Sequence, residues 1–456
     1  MPPDIYSGVD RKGLTTTTLL FAATLACSRN PPLSADETKP HPCSVDGIPG
    51  ELRCATYPVW ENRQRKSGRR IPLNIVILPA LSTSPAPDPL FILAGGPGQA
   101  ATELLGAFTR NRELRARRDI VFIDQRGAGG SNPLNCDLYG DPPDPNRILA
   151  GPFPVDSVRA CRQRLESIAD LGQYTTGAAM DDVDDVRQWL GYDQVNLWGG
   201  SYGTRAAQVY LRRHGEHVRA AVLDGVLPVD ELVPLHQAAA GQRAVDMLFA
   251  RNRAAFPDLE REFRSLFDPA KPATIGLAEG IRHALYSDDG RSFPSLIHRA
   301  AGGDRAPLEQ RAIDAEKALS RLSIGLNLSV TCAEDIPFLD DAMIARETAG
   351  TFLGDLRIQR QRAACREWAR GSVPSDVHEP VHSNVPVLLF SGGRDPVTPP
   401  SFGDQVAATL PNSRHVVFPE SAHGTFGACS RRILTEFILT ASPQGLPVDC
   451  ADGPRP

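Results

Sequence analysis

Short apolar runs alternate with helical patterns along most of this chain, and this alternation limits the possible fold more than any other feature. Several runs, such as VPVLLFSGG (385–393), are continuously apolar and β-branched, which is typical of strands covered on both faces. Helical patterns lie between the runs, for example over residues 178–192 and 202–215. The alternation predicts an α/β fold with a mostly parallel central sheet and helices on both faces. The predicted strands are residues 72–80, 89–96, 119–127, 194–201, 220–226, 385–393 and 414–420.

The alternation stops between residues 231 and 380, where the sequence is mainly helical. An α/β sheet interrupted in this way indicates a helical cap over the carboxyl ends of the strands, where open α/β sheets bind their ligands. We therefore expect a first part of the core at residues 28–230, a helical cap at 231–380, and a second part of the core with a C-terminal tail at 381–456.

The first 27 residues have the pattern of a bacterial export signal. Arg11 and Lys12 form a positive region, and the apolar run from Leu14 to Ala26 is too short to span a bilayer but suits a cleaved signal. The segment TLAC, which ends at Cys27, resembles a lipoprotein cleavage box, although a threonine stands where leucine is usual. Two alternatives stay open, namely ordinary signal cleavage and a lipid anchor at Cys27 as the contact with a membrane.

The cysteine count also indicates export. Eight cysteines follow Cys27, and an even number in an exported chain is typical of disulfides. The sequence contains no C-x₂-C spacing, so a zinc site is not expected. Many connectivities are open, and the simplest hypothesis joins neighbours in the sequence as Cys43–Cys54, Cys136–Cys161, Cys332–Cys365 and Cys429–Cys450.

The charge balance does not favour a nucleic-acid partner. The formal net charge is −5 and the isoelectric point is about 6.1, so the chain lacks the basic surface that phosphate backbones attract. The arginine-rich segment NRQRKSGRR (62–70) is short and typical of a solvated loop.

The segment LWGGSYGTR (197–205) carries the pattern Gly-x-Ser-x-Gly, centred on Ser201. The pattern alone is common, but here a predicted strand precedes it and a predicted helix follows it, which is typical of a nucleophilic serine on a tight turn. The backbone N–H groups of Tyr202 and of Gly96, in the glycine-rich bend LAGGPGQA (93–100), are the predicted oxyanion donors. The alternative is a glycine-rich turn with a purely structural role.

A serine hydroxyl needs a base to remove its proton, and in folds with this turn the acid and then the histidine follow the serine along the chain. Asp395 is the predicted acid because it lies in the loop FSGGRDPVTP directly after a predicted strand. Asp224, which follows an earlier predicted strand, is the alternative candidate for the acid. His423, in PESAHGTF after the last predicted strand, is the predicted base, with a structural histidine as the alternative.

Together these segments resemble the proline iminopeptidase and tripeptidyl aminopeptidase group of α/β-hydrolase serine exopeptidases. The resemblance implies the α/β-hydrolase fold with a helical cap, and it carries the catalytic triad over as Ser201, Asp395 and His423. This chain departs from the group at Ala94, where iminopeptidases usually have histidine before the motif GGPG. The matching segments are GGPG (95–98), DQRGAGGS (124–131), GGSYGTR (199–205), VLDGV (222–226), CAEDIP (332–337), SGGRDPVTP (391–399) and AHG (422–424).

The resemblance further implies that carboxylates of the cap recognise the free N-terminus of a peptide substrate. Glu334, in TCAEDIPF (331–338), is the candidate for this role and Asp335 is its competitor. The alternative for Glu334 is a helix-capping or solvated acid. Arg126, in the motif DQRG, is expected to be structural and to bond backbone carbonyls near the site.

We therefore expect an exported serine aminopeptidase that releases an N-terminal residue of the proline type, or a short N-terminal peptide, without a metal or organic cofactor. The same triad would also serve a carboxylesterase, because an ester needs no protonation of a poor amine leaving group. A third alternative is a catalytically silent binding protein. A dehalogenase is not expected, because serine rather than aspartate occupies the turn at Ser201.

Overall fold

A computed structural model describes residues 39–267, 273–286 and 290–452 of the chain. The predicted export signal and Cys27 lie outside these described residues. Within them the chain forms a central sheet, helices on both faces of the sheet, and a group of helices inserted between two neighbouring strands.

The sheet has nine strands within the described ranges. The strands are β1 (His41–Val45), β2 (Ile48–Trp60), β3 (Arg70–Leu78), β4 (Leu90–Leu93), β5 (Ile120–Ile123), β6 (Val195–Gly200), β7 (Val218–Asp224), β8 (Val387–Gly392) and β9 (Ser413–Phe418). Their order across the sheet is β1-β2-β3-β5-β4-β6-β7-β8-β9. The first three pairs in this order, β1–β2, β2–β3 and β3–β5, are antiparallel. The other five pairs, from β5–β4 to β8–β9, are parallel. The mostly parallel α/β sheet is therefore confirmed.

The seven predicted strands correspond to β3 through β9, whereas β1 and β2 were not predicted. The missed pair is a hairpin whose two-residue loop is Asp46-Gly47, with Val45 paired to Ile48 across the turn. Gly47 has a φ of 75°, a backbone conformation that glycine adopts readily. An Asp-Gly pair between two extended segments is a strong hairpin signal, so the sequence did contain the information.

Helices cover both faces of the sheet and bury two apolar layers against it. The helices predicted over 178–192 and 202–215 are present as α4 (Thr176–Trp189) and α5 (Tyr202–His214). No helix in the described ranges has both the length and the apolar character needed to cross a membrane. The helices outside the insertion are α1 (Leu105–Phe108), α2 (Pro145–Leu149), α3 (Val155–Leu165), α4 (Thr176–Trp189), α5 (Tyr202–His214), α14 (Pro400–Ala407) and α15 (Ala428–Thr440).

The inserted helices follow β7 and precede β8, and the limits predicted for the cap, 231 and 380, fall in the segments that join it to these strands. The insertion has an apolar cluster of its own, centred on Phe249, Phe263 and Phe293. It is also fixed to the core, because the N–H of Ser323 donates to the carbonyl of Gly98 at 3.0 Å. The helices are α6 (Gln237–Asn252), α7 (Leu259–Ser265), α8 (Ala273–Ala284), α9 (Phe293–Ala301), α10 (Ala306–Leu319), α11 (Ile324–Glu334), α12 (Asp341–Thr348) and α13 (Leu356–Glu367).

All four disulfides of the neighbour-to-neighbour hypothesis are present, and that prediction is confirmed. Disulfides persist in oxidising compartments and are rare in the reducing cytoplasm, so they indicate an exported protein. The bonds join β1 to β2, the loop after β5 to α3, α11 to α13, and α15 to the C-terminal segment. The pairs are Cys43–Cys54, Cys136–Cys161, Cys332–Cys365 and Cys429–Cys450.

Candidate active site

Ser201 lies on a strained turn between β6 and α5. Its φ of 54° and ψ of −122° form a backbone conformation that residues with a side chain rarely adopt. The turn is held from the neighbouring strand, because the N–H of Ser201 donates to the carbonyl of Asp224 at 2.9 Å. A sharp turn of this kind exposes the serine hydroxyl at the carboxyl end of the sheet.

The flanking glycines of the turn are required by close backbone packing. A Cβ on Gly203 would lie 2.0 Å from the carbonyl oxygen of Leu93, and a Cβ on Gly199 would lie 2.3 Å from the carbonyl oxygen of Gly203. Neither position has room for a side chain. The pattern Gly-x-Ser-x-Gly therefore has a steric cause at both glycines.

His423 and Asp395 form a hydrogen-bonded pair, with 2.8 Å between Nδ1 of the imidazole and Oδ2 of the carboxylate. Asp395 follows β8 and is fully buried, while His423 lies in the loop after β9. The carboxylate also accepts hydrogen bonds from the N–H of Val397 at 2.9 Å and from the hydroxyl of Thr398 at 2.7 Å. These contacts fix the carboxylate and, through it, the orientation of the imidazole ring.

The two partners shift each other's pKa in the directions expected of an acid–base pair. Burial alone would raise the pKa of Asp395, but the neighbouring His423 and the hydrogen bonds that the carboxylate accepts lower it. Burial alone would lower the pKa of His423, but the Asp395 carboxylate raises it overall. The imidazole can therefore take up a proton while Asp395 stays ionised.

Asp224, the rival acid, binds a different partner. Its carboxylate accepts hydrogen bonds from the N–H and the hydroxyl of Thr425, both at 3.1 Å, and burial raises its pKa to about 6. Thr425 lies two residues after His423, so Asp224 fixes the loop that carries the histidine. The hydrogen bond to the imidazole is made by Asp395.

The glycine-rich bend after β4 lies directly against Ser201. A Cβ on Gly95 would lie 3.2 Å from the Cβ of Ser201, and the next residue, Gly96, has a φ of 107°. Tyr202 is the first residue of α5, so its N–H is at the positive end of that helix. Gly96 and Tyr202 line the same cavity as Ser201.

This cavity has a volume of about 650 Å³ and lies between the carboxyl ends of the strands and the inserted helices. Ser201 and His423 line it from the core, and Tyr286, Asp335 and Gln361 line it from the insertion. The cap predicted over the carboxyl ends of the strands is therefore placed as expected. Among the described residues, no group of histidine, cysteine, aspartate and glutamate side chains could hold a metal ion.

Glu334 does not reach this cavity. Its carboxylate is buried and accepts hydrogen bonds from the N–H of Thr176 at 2.6 Å and from the hydroxyl of Thr176 at 2.7 Å. It lines a separate cavity of about 270 Å³. Burial raises the pKa of Glu334 to about 7. The structure thus places Glu334 beneath the first turn of α4, in the helix-capping position that was the alternative for this residue.

Asp335, the next residue, does line the main cavity. Its Oδ1 accepts hydrogen bonds from the guanidinium of Arg205 at 2.8 Å and from the N–H of Val233 at 3.2 Å. Its Oδ2 is buried and has no hydrogen-bond partner within the described residues. Burial raises the pKa of Asp335, while Arg205 opposes that shift. Asp335 therefore has a buried carboxylate oxygen with unused acceptor capacity in the wall of the cavity.

Two residues of the insertion support the loops that carry Asp395 and His423, and neither was predicted from the sequence. The N–H of His423 donates to the carbonyl of Tyr286 at 3.0 Å, and the two rings lie 5.0 Å apart. The guanidinium of Arg243 donates to the carbonyl of Asp395 at 2.6 Å. No motif marks either residue, because both contacts join segments far apart in the sequence.

Arg126 is structural, as predicted. Its guanidinium donates to the carbonyls of Glu61 and Gln173, each at 2.9 Å, and forms a buried ion pair with Asp182 at 2.6 Å. The segment 62–70 forms the mainly exposed turn between β2 and β3. It is the solvated loop expected from its composition.

Comparison with known proteins places these features in a family. The family model of the α/β hydrolase fold matches residues 88–427. The serine protease Hip1 of Mycobacterium tuberculosis is 26% identical, over 87% of this chain and 87% of its own. Carboxylesterase B of Mycobacterium tuberculosis is 34% identical over 40% of this chain and 38% of its own length. The tripeptidyl aminopeptidase of Streptomyces lividans is 28% identical over 41% of this chain and 37% of its own length. The chain therefore belongs to the α/β-hydrolase fold family, and within that family it is a serine hydrolase.

Proposed function

We propose that this serine hydrolase is an exported aminopeptidase that removes a short N-terminal peptide from substrates with a free N-terminus. One observation carries the proposal. Asp335 lines the same cavity as Ser201 and His423, and its Oδ2 is buried without a partner among the described residues. A buried acceptor without a partner is costly, and a substrate ammonium group would satisfy it.

The triad supplies the chemistry of the proposal. His423, oriented by Asp395, removes the proton of Ser201 as its Oγ attacks the scissile carbonyl. The N–H groups of Gly96 and Tyr202 stabilise the oxyanion of the tetrahedral intermediate. His423 then gives its proton to the leaving amine, and water hydrolyses the acyl-enzyme with the roles reversed.

Two amide oxygens strengthen the ammonium site. Gln237 and Gln361 also line the cavity, and the Oε1 atom of each is buried without a hydrogen-bond partner in the described part of the chain. Gln361 is close to Asp335, because its amide donates at 2.9 Å to Thr331, one helical turn before Asp335 on α11. The oxygens of Asp335 and Gln361 are both acceptors, and an ammonium group has donors to offer both of them.

The helices that carry this site are joined covalently. Cys332 on α11 and Cys365 on α13 form a disulfide, and they lie within four residues of Asp335 and Gln361 respectively. A disulfide between two helices limits how far these acceptors can separate. The ammonium site is thus preorganised, which lowers the ordering cost of binding.

The size of the cavity favours a short peptide over a single residue. A cavity of about 650 Å³ is in the range that encloses drug-sized ligands, so it exceeds what a lone proline fills. The alternative, release of a single N-terminal proline, would place a smaller group in the cavity. Ala94, in the place where iminopeptidases usually carry histidine, argues against that alternative.

A carboxylesterase is the second candidate, and the 34% identity to Carboxylesterase B over part of the chain is the observation that favours it. The triad would cleave an ester without protonating a poor leaving group. A comparison of substrates separates the two candidates. We would assay a tripeptidyl anilide, a prolyl anilide, the N-acetylated form of each, and a simple acyl ester.

The aminopeptidase proposal predicts that acetylation abolishes cleavage of the anilides, because an amide has neither the charge nor the three donors of an ammonium group. The tripeptidyl anilide should be cleaved faster than the prolyl anilide. Equal cleavage of free and acetylated anilides, or reaction of the ester alone, would overturn the aminopeptidase proposal in favour of the esterase.

The proposed location is the cell envelope, reached through cleavage of the signal before Cys27 and lipid attachment to that cysteine. Mass spectrometry of the mature N-terminus tests this step. A diacylglyceryl cysteine at the first position is the expected result, and Cys27→Ser should release the protein from the membrane fraction. An unmodified N-terminus would support ordinary secretion instead.

A further inference from the structure

Phe426 presents an apolar ring at the edge of the candidate active site. It lies three residues after His423, lines the main cavity, and is 62% exposed. No other large hydrophobic side chain in the described ranges is as exposed. Single exposed apolar residues are common on protein surfaces, so the position beside the histidine is what makes this one informative.

The ring of Phe426 is held in place by its contacts with the backbone near His423 and with a buried aromatic ring. A Cβ on Gly424 would lie 3.2 Å from Cε2 of Phe426, so the ring lies over the backbone next to His423. Its other neighbour is the buried Trp198, with 5.8 Å between the ring centroids. Trp198 contacts the buried Phe108 edge to face at 5.3 Å. The exposed ring is therefore the end of an aromatic column anchored in the core.

The same column borders the nucleophile. Trp198 lies on β6 three residues before Ser201, and a Cβ on Gly200 would lie 2.7 Å from Cη2 of its indole. Trp198 also lines the cavity. An apolar surface thus extends along the cavity wall from the strand that carries the serine to the loop that carries the histidine.

The chemistry determines which part of a substrate would lie on this surface. When the acyl-enzyme forms, the bond between the Ser201 oxygen and the carbonyl carbon is made, the carbon–nitrogen bond breaks, and the leaving amine receives its proton from His423. The leaving chain must therefore lie within reach of the imidazole. The acyl part extends instead toward Asp335, where its free amine is bound.

We propose that Phe426, supported by Trp198, forms a subsite for the apolar or aromatic side chain of the first residue of the leaving peptide. The subsite rests on acyl transfer at Ser201, as in the proposed function, but not on recognition of a free N-terminus. It makes the enzyme selective on both sides of the scissile bond, for a free amine on the acyl side and for an apolar residue on the leaving side.

A series of peptides tests the subsite. All members share one N-terminal tripeptide and differ only in the next residue, which is Gly, Ala, Leu or Phe, and mass spectrometry of the released products gives kcat/KM. Contact between aromatic rings predicts that wild type prefers Phe over Gly by about five- to tenfold. Phe426→Ala should reduce that preference to less than about twofold, chiefly through a lower kcat/KM for the Phe and Leu peptides.

Phe338→Ala is the matched control, because Phe338 is 41% exposed and packs on His378 outside the cavity lining. It should leave the whole series unchanged. Phe426→Leu keeps an apolar side chain and should retain part of the preference. Melting curves of all variants check the fold, and little loss is expected for Phe426→Ala because most of the ring is already exposed.

A parallel series of acyl esters separates this subsite from the proposed function. The leaving alcohol occupies the place of the leaving amine, so wild type should prefer a benzyl over an ethyl ester, and Phe426→Ala should remove that preference. If acetylated peptides are cleaved as well as free ones while the Phe426 effect persists, the aminopeptidase proposal fails and the subsite stands. A wild type without preference in either series, a preference that survives Phe426→Ala, or no cleavage of either series overturns the subsite.

Discussion

The two walls of the active-site cavity are built in different ways. On the core wall, the candidate catalytic groups lie on the turns and loops after strands of a parallel sheet, with Ser201 after β6, Asp395 after β8, and His423 after β9. On the cap wall, the groups come from helices that are held together by buried charges and a disulfide. The positions of the groups on the core wall are therefore fixed by backbone geometry, whereas those on the cap wall depend on side-chain packing particular to this chain.

The buried charges of the cap wall form a cluster that is linked to His423. Glu279 binds Arg282 at 2.8 Å and Arg357 at 3.1 Å, and despite burial these two arginines lower its pKa to about 2. Arg282 also donates to the hydroxyl of Tyr286 at 2.7 Å, and Tyr286 binds the backbone of His423. Removal of one partner from a buried ion pair leaves the other charge buried without compensation, which strongly destabilises the fold. We therefore expect the cap wall to tolerate few substitutions at these positions.

If the core wall alone performs the bond-breaking step, Ser201→Ala should have the largest effect of any substitution. Loss of the nucleophile is expected to lower kcat by about 10⁵- to 10⁶-fold, for peptides and esters alike, because both need the acyl-enzyme. Steady-state assays with both substrate types measure the effect. The melting temperature should stay close to that of wild type, and substantial remaining turnover would move the nucleophile away from the core wall.

Asp395→Asn tests the second element of the core wall and should lower kcat by roughly 10⁴-fold, because His423 loses the carboxylate that orients it and stabilises its protonated form. The pH profile supplies an independent measure. Wild-type activity requires neutral His423, and Asp395 raises the pKa of that imidazole, so activity should rise with pH through this raised pKa. The Asn variant should reach its plateau at lower pH. An unchanged midpoint would assign the acid role elsewhere, with Asp224 as the first candidate.

The sequence predicted much of the core wall and little of the cap wall, for a physical reason. Strand ends, glycine turns and chain order are local features, and they led to Ser201, Asp395 and His423, whose geometry the structure now provides. The contacts of Tyr286 and Arg243 join helices of the insertion to distant loops, and no local pattern encodes such a meeting. The β1–β2 hairpin differs from both, because it was not predicted although its Asp-Gly turn is a local sequence signal.

The pair Glu334 and Asp335 shows the limit of local inference most clearly. Consecutive residues at the end of a helix point in different directions, so the motif CAED cannot tell which carboxylate faces the substrate. That choice depends on how α11 is rotated against α4 and α5. The hydrogen bonds of Glu334 to Thr176 and of Asp335 to Arg205 report that rotation.

Asp335→Asn measures what the cap wall contributes to binding. Loss of a charge-assisted hydrogen bond to the substrate ammonium should raise KM for free-amine peptides by about ten- to hundredfold, with kcat less affected. Hydrolysis of a simple ester should be unchanged, which shows that the triad is intact. Asp341→Asn is the matched control, because that aspartate lies on the cap surface and pairs there with Arg362. Equal losses on peptide and ester would mean that Asp335 serves the fold rather than the substrate.

Glu334→Gln should have the smallest effect on catalysis, since the side chain faces Thr176 and not the cavity, and KM for free-amine peptides should stay within about twofold of wild type. Its effect should appear in stability. Burial raises the pKa of Glu334 to about 7, above the value of about 4.3 expected in the unfolded chain, so the folded state holds this proton more tightly. Wild type should therefore lose about 2–3 kcal/mol of its free energy of unfolding as the pH rises between these two values.

The glutamine variant cannot ionise and should lose less stability over the same interval, as measured by urea unfolding at a series of pH values. Some dependence on pH will remain, because burial also raises the pKa of Asp224 to about 6, and its contribution has the same sign. Parallel stability curves for wild type and Glu334→Gln would show that the pKa of Glu334 is the same in the folded and unfolded states. A large rise of KM in this variant would return Glu334 to the substrate site and reverse the roles assigned to the two neighbouring carboxylates.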